Sequence, residues 1–292
     1  MVEGGAVVTG GASGMGKAVV ERLLARGMGV VIADFNADAG EKAVADLSRD
    51  GAEGRVAFAQ TDVAQESDVS AALDQLTESF GRLDVVVNAA GIGGAFGPWT
   101  ELEVDDWDYT FSVLVRGVFL GVKHGARIMR EQGEGGSIVN FGSIAGLVGG
   151  MGLQAYSVAK AAVMHISRVA AVEFAPDMIR VNTVNPGIVL TPLMGLSEED
   201  MRPILGTVQP WPESCPPESV AAVVSFLTSA EARFITGETV NVDGGIMGAG
   251  PRLGTLGKND PAQAGLVGVS HGSTGTKAKV HRKVDVARRD SA

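Results

Sequence analysis

Along the first 245 residues, short apolar runs alternate with longer stretches whose apolar positions recur every three to four residues. The runs predict strands, at 5–9, 29–33, 56–60, 84–87, 137–141, 179–185 and 239–242. They are apolar at nearly every position, as in strands buried on both faces. The stretches between them predict helices over 18–25, 36–48, 67–80, 156–174 and 219–228. In the third of these the stripe is Val69, Leu73 and Leu76. A single long helix is predicted over 105–129, with Trp107, Phe111, Leu114, Val118 and Val122 at helical spacing. Residues 193–217 break the pattern and are rich in Met and Pro. The alternation predicts an α/β chain with a doubly wound parallel sheet.

Composition narrows the class. A chain of 292 residues, 45% hydrophobic, can bury one large core with an appendage. A formal net charge of -10 argues against nucleic acid or an anionic membrane surface as partner. The one cysteine, Cys215, excludes a disulfide framework and fits a reducing compartment. The opening MVEGGAVVTGG has no basic segment of a signal peptide, and no run of 18 apolar residues suggests a membrane span. A cytoplasmic protein is expected. Four scattered histidines (His124, His165, His271, His281) give no metal-ligand spacing, so no metal is expected, nor a zinc-dependent or thiol chemistry.

Polar and glycine residues concentrate where strands end. Between the first strand and helix lies TGGASGMG, 9–16, with Gly10, Gly14 and Gly16 flanking Ser13 and Met15. Glycines there let the backbone turn tightly toward a pyrophosphate, in front of the positive end of a helix dipole. The second strand ends in Asp34, whose carboxylate can accept from ribose hydroxyls and repel a 2′-phosphate. Neither Ser13 nor Phe35 supplies a base, which favours NAD over NADP; the other reading of Asp34 is a cap for helix 36–48. Asp62 and Val63 follow the third strand, and Asn88 to Gly91 the fourth. Both fall where a doubly wound sheet binds its ligand, and both also read as turn residues. In the loop after 179–185, backbone groups of Pro186 and Ile188 and the Thr191 hydroxyl are placed to meet a nicotinamide carboxamide.

Ser143, Tyr156 and Lys160 are the candidate catalytic residues. Tyr156 and Lys160 stand at i and i+4, one turn apart on a helix face, where the ammonium favours the phenolate and lowers the tyrosine pKa. Such a tyrosine is a general acid or base, and Ser143 can meet the same substrate oxygen. Alone, YSVAK also reads as the start of an amphipathic helix.

Taken together, TGGASGMG (9–16), Asp62-Val63, NAAG (88–91), Ser143, YSVAK (156–160), NPGIVLTP (185–192) and VDGG (242–245) resemble the short-chain dehydrogenase/reductase family, across residues 4–245. The resemblance implies a single-domain Rossmann-type sheet with helices on both faces, and hydride transfer between nicotinamide and a substrate carbon. It implies that Tyr156 donates or accepts the proton, that Lys160 lowers its pKa and holds the nicotinamide ribose, and that Ser143 orients the substrate oxygen. It also implies a homotetramer paired through the long helices and the last strand. FLGVKHGARIM (119–129) is similar to the branch that oxidises terpenoid, lignan and steroid secondary alcohols.

One position departs from the family. In Val113-Leu-Val-Arg-Gly-Val-Phe119, Leu114 stands where the family carries an asparagine that helps hold a proton-relaying water. Leucine cannot hydrogen-bond, so a slower or more pH-sensitive enzyme is expected.

The expectation is an NAD-dependent oxidoreductase that interconverts a secondary alcohol and a ketone on a small apolar substrate, cyclic or terpenoid-like. Phe96, Trp99, Met151, Leu153, Leu193, Met194 and Trp211 are candidates for its pocket, and each also reads as core or lid packing. The alternatives are an acyl-carrier-protein ketoreductase and a nucleotide-bound sensor with little turnover. Domain 1–249 is followed by a basic Gly-rich extension, 250–292, where eight Lys/Arg against three Asp leave +5. It reads either as disordered or as docking on an acidic neighbour.

Overall fold

The computed structural model describes residues 2–191, 199–200, 205, 208–249, 266–269 and 279–283. The chain forms two compact units, Met1–Gly248 and Ala249–Ala292.

In the first unit, strands β1 (Gly5–Thr9), β2 (Gly29–Asp34), β3 (Val56–Gln60), β4 (Val85–Asn88), β5 (Gly136–Phe141), β6 (Ile179–Pro186) and β7 (Thr239–Val242) form one sheet in the order β3-β2-β1-β4-β5-β6-β7. Every neighbouring pair is parallel. Strand order reverses between β1 and β4, which opens a crevice beyond their carboxyl ends.

Period-two alternation divides each apolar strand between two cores. On one face Val7, Val31, Val86 and Ile138 pack with α3 (Glu66–Phe80), α5 (Gly117–Gln132) and α6 (Gln154–Phe174). On the other, Val8, Ile32, Val87 and Val139 pack with α1 (Gly14–Ala25), α2 (Ala37–Leu47) and α7 (Pro217–Leu227). Burying such a side chain contributes about 1.5–3 kcal/mol, so both faces must be covered. Arg26 ties α1 to α7, its Nη1 donating to Ser225 O at 3.0 Å and Thr228 Oγ1 at 2.8 Å.

Two local readings are settled. Asn36 caps α2, its Oδ1 accepting from Ala39 N at 3.0 Å, so Asp34 is not the cap. The helical stretch expected over 105–129 runs from Val104 to Gln132, as α4 (Val104–Phe111) and α5 joined through a π-helical turn, Ser112–Arg116. There Gly117 N–H reaches five residues back to Ser112 O. The extra residue per turn keeps Val113 and Leu114 buried, so the apolar spacing runs across the break unchanged.

The second unit contains an antiparallel hairpin of β8 (Leu266–Val269) and β9 (Lys279–Lys283), irregular at Val267/Gly268. Among the described residues, no helix is long and apolar enough to cross a membrane.

Candidate active site

The crevice at the β1/β4 reversal is a cleft of about 380 Å³. Its floor is the loop after β1. Thr9 Oγ1 accepts from Ala89 N at 3.1 Å and Ala90 N at 3.2 Å, joining the ends of β1 and β4. The fit leaves no room for side chains. Gly10 has φ +66, and a Cβ there would lie 2.7 Å from Ala90 Cα. A Cβ on Gly16 would lie 2.1 Å from Gly10 O. Ser13, Gly14, Met15 and Gly16 line the cleft at the start of α1, where Ser13 makes no side-chain cap. These glycines close the loop on itself and bring backbone against the cleft, the arrangement a dinucleotide pyrophosphate requires.

Asp34 stands at the tip of β2 in the cleft wall. Its Oδ2 accepts from Ala12 N and its Oδ1 from Asn36 N, both at 3.0 Å. Each oxygen keeps a second lone pair for a hydroxyl donor. Asp62, Val63 and Gly91 also line the cleft, and Asp62 Oδ1 accepts from Ala64 N at 2.9 Å in a tight turn. The residue set therefore fits an adenosine ribose beside Asp34 and a pyrophosphate at the glycine loop.

Two expected residues lie elsewhere. Asn88 is buried behind the cleft and donates to Asn140 Oδ1 at 2.7 Å, beneath Gly121 of α5. Ile188 is not part of the wall, although Pro186, Gly187, Val189 and Thr191 are. The wall also takes in Thr61, Ile92, Tyr109, Val113 and Gly142, which sequence reasoning missed. For Tyr109 and Val113 a signal existed: they stand at i and i+4 beside the apolar stripe at 107, 111 and 114.

Ser143, Tyr156 and Lys160 meet at one end of this cleft. Ser143 leaves β5 in extended conformation, and its Oγ accepts from Ala145 N at 3.1 Å, capping the turn Ile144–Gly146. That occupies an acceptor site and leaves the O–H to donate. Tyr156 and Lys160 stand one turn apart near the start of α6. Lys160 Nζ donates to Phe141 O at 2.6 Å and lies 5.6 Å from the centre of the Tyr156 ring.

The electrostatics differ from expectation. Burial pushes the Tyr156 phenol above its ordinary range, against a lowering hydrogen bond from Ser143. Burial also draws Lys160 from 10.5 down to about 8. Both shifts have one cause, the loss of water around a group that must carry charge.

Of the candidate pocket residues, Phe96, Trp99, Met151, Leu153 and Trp211 are exposed and stand outside the cleft wall. Leu153 approaches Gly93, and Gln154 Nε2 donates to Gly97 O at 2.6 Å, fixing the loop after β4 against α6. Trp99, Trp107 and Phe111 form an aromatic row, with centroids 5.8 and 4.8 Å apart. Leu193 and Met194 lie outside the described residues. Among the described residues, no group of three or more His, Cys, Asp or Glu is arranged to hold a metal ion.

Known proteins share this chain's sequence and fold. The family model described as Enoyl-(Acyl carrier protein) reductase matches residues 10–247. Cis-4-hydroxycyclohexanecarboxylate dehydrogenase of Sinomonas cyclohexanicum is 42% identical over 240 residues, covering 82% of this chain and 95% of that protein. Cyclopentanol dehydrogenase of Comamonas testosteroni is 38% identical over 242 residues, covering 82% and 95%. Among solved structures, a short-chain type dehydrogenase/reductase from Mycobacterium ulcerans has 36% identity and a TM-score of 0.78, covering 85% of this chain and 90% of its own.

Proposed function

Since the chain belongs to the short-chain dehydrogenase/reductase family of oxidoreductases, we propose that it uses NAD to interconvert a secondary alcohol and a ketone on an apolar, cyclic substrate. The observation that carries this reading is the meeting of Ser143, Tyr156 and Lys160 in a cleft that also contains the glycine loop and Asp34. The cyclic alcohols named for the two relatives support the substrate class.

Nicotinamide, when bound, supplies the acceptor for the hydride that leaves the carbinol carbon, or its donor in the reverse direction. The chain's own residues manage the proton. In oxidation the substrate hydroxyl passes its proton to Tyr156 Oη; in reduction Tyr156 returns it. Ser143, whose hydroxyl otherwise bonds to Tyr156, donates its O–H to the same substrate oxygen. With a pKa of about 8, Lys160 is charged at neutral pH, and its charge one turn away favours the phenolate that burial disfavours. One Nζ donor is spent on Phe141 O, and the others remain for ribose hydroxyls. Asp34 accepts from the adenosine ribose and repels a 2′-phosphate, which supports NAD over NADP.

The same reading extends to a cytoplasmic homotetramer. Phe119 on α5 and Val169 and Val172 on α6 are exposed apolar residues suited to pairing of those helices.

The test is NADH formation at alkaline pH from a panel of cyclic secondary alcohols, repeated with NADP and with Tyr156→Phe. Turnover with NAD, reduced at least about a hundredfold in the variant while NADH binding persists, is expected. NADH binding without turnover of any alcohol would favour the sensor instead.

A further inference from the structure

The part of the cleft around Tyr156 is short of cations. The chain carries no Lys or Arg from residue 83 to 115, and no charged residue of any kind from 135 to 159. These two segments supply Ile92, Tyr109, Val113, Ser143 and Tyr156 to the wall. Between residues 181 and 232 the single cation is Arg202, outside the described residues. Among the described wall residues the one cation is Lys160, fully buried and already bonded to Phe141 O.

On the approach along α4 the charges are acidic; Arg116, exposed, shares a separate hollow with Tyr109 and does not line this cleft. Glu101, Glu103, Asp105, Asp106 and Asp108 are exposed between Trp99 and Tyr109. Asp105 and Asp106 stand one helical turn before Tyr109 on α4, hence on the face that reaches the cleft.

We propose that this cleft selects uncharged cyclic alcohols and rejects anionic ones. The proposal rests on the alcohol–ketone reading and adds the charge of the substrate to it. A carboxylate on the ring loses water against an apolar wall with no partner to replace it. It also meets the field of Asp105 and Asp106 on approach. An ester or amide of the same shape suffers neither effect. Rejection of this kind gives specificity without a new contact to the preferred substrate.

The experiment compares methyl 4-hydroxycyclohexanecarboxylate with 4-hydroxycyclohexanecarboxylate as substrates with NAD, in the full chain and in Asp105→Asn/Asp106→Asn. The ester should exceed the acid at least tenfold in kcat/KM, and the double variant should narrow that gap by raising the acid. Equal kcat/KM for acid and ester would overturn the proposal. A binding arm decides it if neither alcohol turns over, an outcome that counts against the alcohol–ketone reading itself. Calorimetry on the NADH-loaded protein then compares cyclohexanecarboxamide with cyclohexanecarboxylate. Amide binding at least tenfold tighter supports the selection; equal binding, or binding of neither, overturns it.

Discussion

Lys160 Nζ donates to the Phe141 carbonyl oxygen at 2.6 Å, so the one cation among the described residues of the cleft wall is held by the end of β5 rather than by the phenol one turn before it. The protein thus buries an ionisable group, and the fold bears the cost of its charge.

That cost is measurable. The folded-state pKa of Lys160, about 8, lies below the ordinary lysine value of 10.5. Below pH 8 both states hold the proton and the penalty is fully present. Between pH 8 and 10.5 the unfolded chain binds a proton that the folded chain has released, so rising pH stabilises the fold. The gap corresponds to about 3 kcal/mol. Lys160→Met, which loses only one hydrogen bond, should be inactive yet about 2 kcal/mol more stable at pH 7. Denaturation of both proteins from pH 7 to 10 should find the difference shrinking as pH rises. A variant less stable at pH 7 would sink the argument.

Asp34 holds its loop through Ala12 N–H and Asn36 N–H and is proposed to meet the cofactor ribose, and two substitutions separate the roles. Asp34→Asn keeps an acceptor for Ala12 N–H and removes the charge; Asp34→Ala removes both. Each should raise the NADP-to-NAD ratio of kcat/KM by about tenfold, the worth of one repulsive contact of about 1.4 kcal/mol. Stability should fall in both, by about 1 kcal/mol more in the alanine variant, which loses the acceptors for Ala12 N–H and Asn36 N–H where asparagine loses one. An unchanged cofactor ratio in both would remove Asp34 from cofactor selection.

The extension should be dispensable for chemistry. The family match ends at residue 247 and the first compact unit at Gly248. A chain cut after Ala249 is expected to keep oligomer size, and kcat/KM within about twofold, the scatter of about 0.4 kcal/mol expected of an uncoupled change. Loss of either in size-exclusion or steady-state assays would mean that the extension docks on the catalytic unit.

How far the sequence could be read depends on what each signal encodes. Strands such as 29–33 were legible because both faces are buried, which leaves nearly every position apolar. The π-turn at Ser112–Arg116 was not, because its added residue preserves the inward placement of Val113 and Leu114. Asp62 and Asn88 look alike at strand ends. Their fates diverge because the β4–β5 register sets Asn88 opposite Asn140, a pairing distant in sequence. Spacing placed Tyr156 and Lys160 on one helix face. It carried no information on burial, which raises the phenol, or on the Phe141 carbonyl, which accepts a hydrogen bond from the ammonium.

Leu114 combines these points. It sits in the π-turn, fully buried, beside Gly91 of the cleft wall and in the cluster that packs against Tyr156. An apolar group there offers no hydrogen bond at this point of the wall. Leu114→Asn places an amide in that wall. Stability should fall by about 2 kcal/mol, from lost packing and a buried amide. If the wall limits proton transfer, kcat in alcohol oxidation should nevertheless rise and hold its plateau to lower pH. The pairing of the two effects is the diagnostic, since damage to the fold alone would lower kcat at every pH. A destabilised variant with an unaltered kcat–pH profile would mean that proton transfer does not depend on this wall.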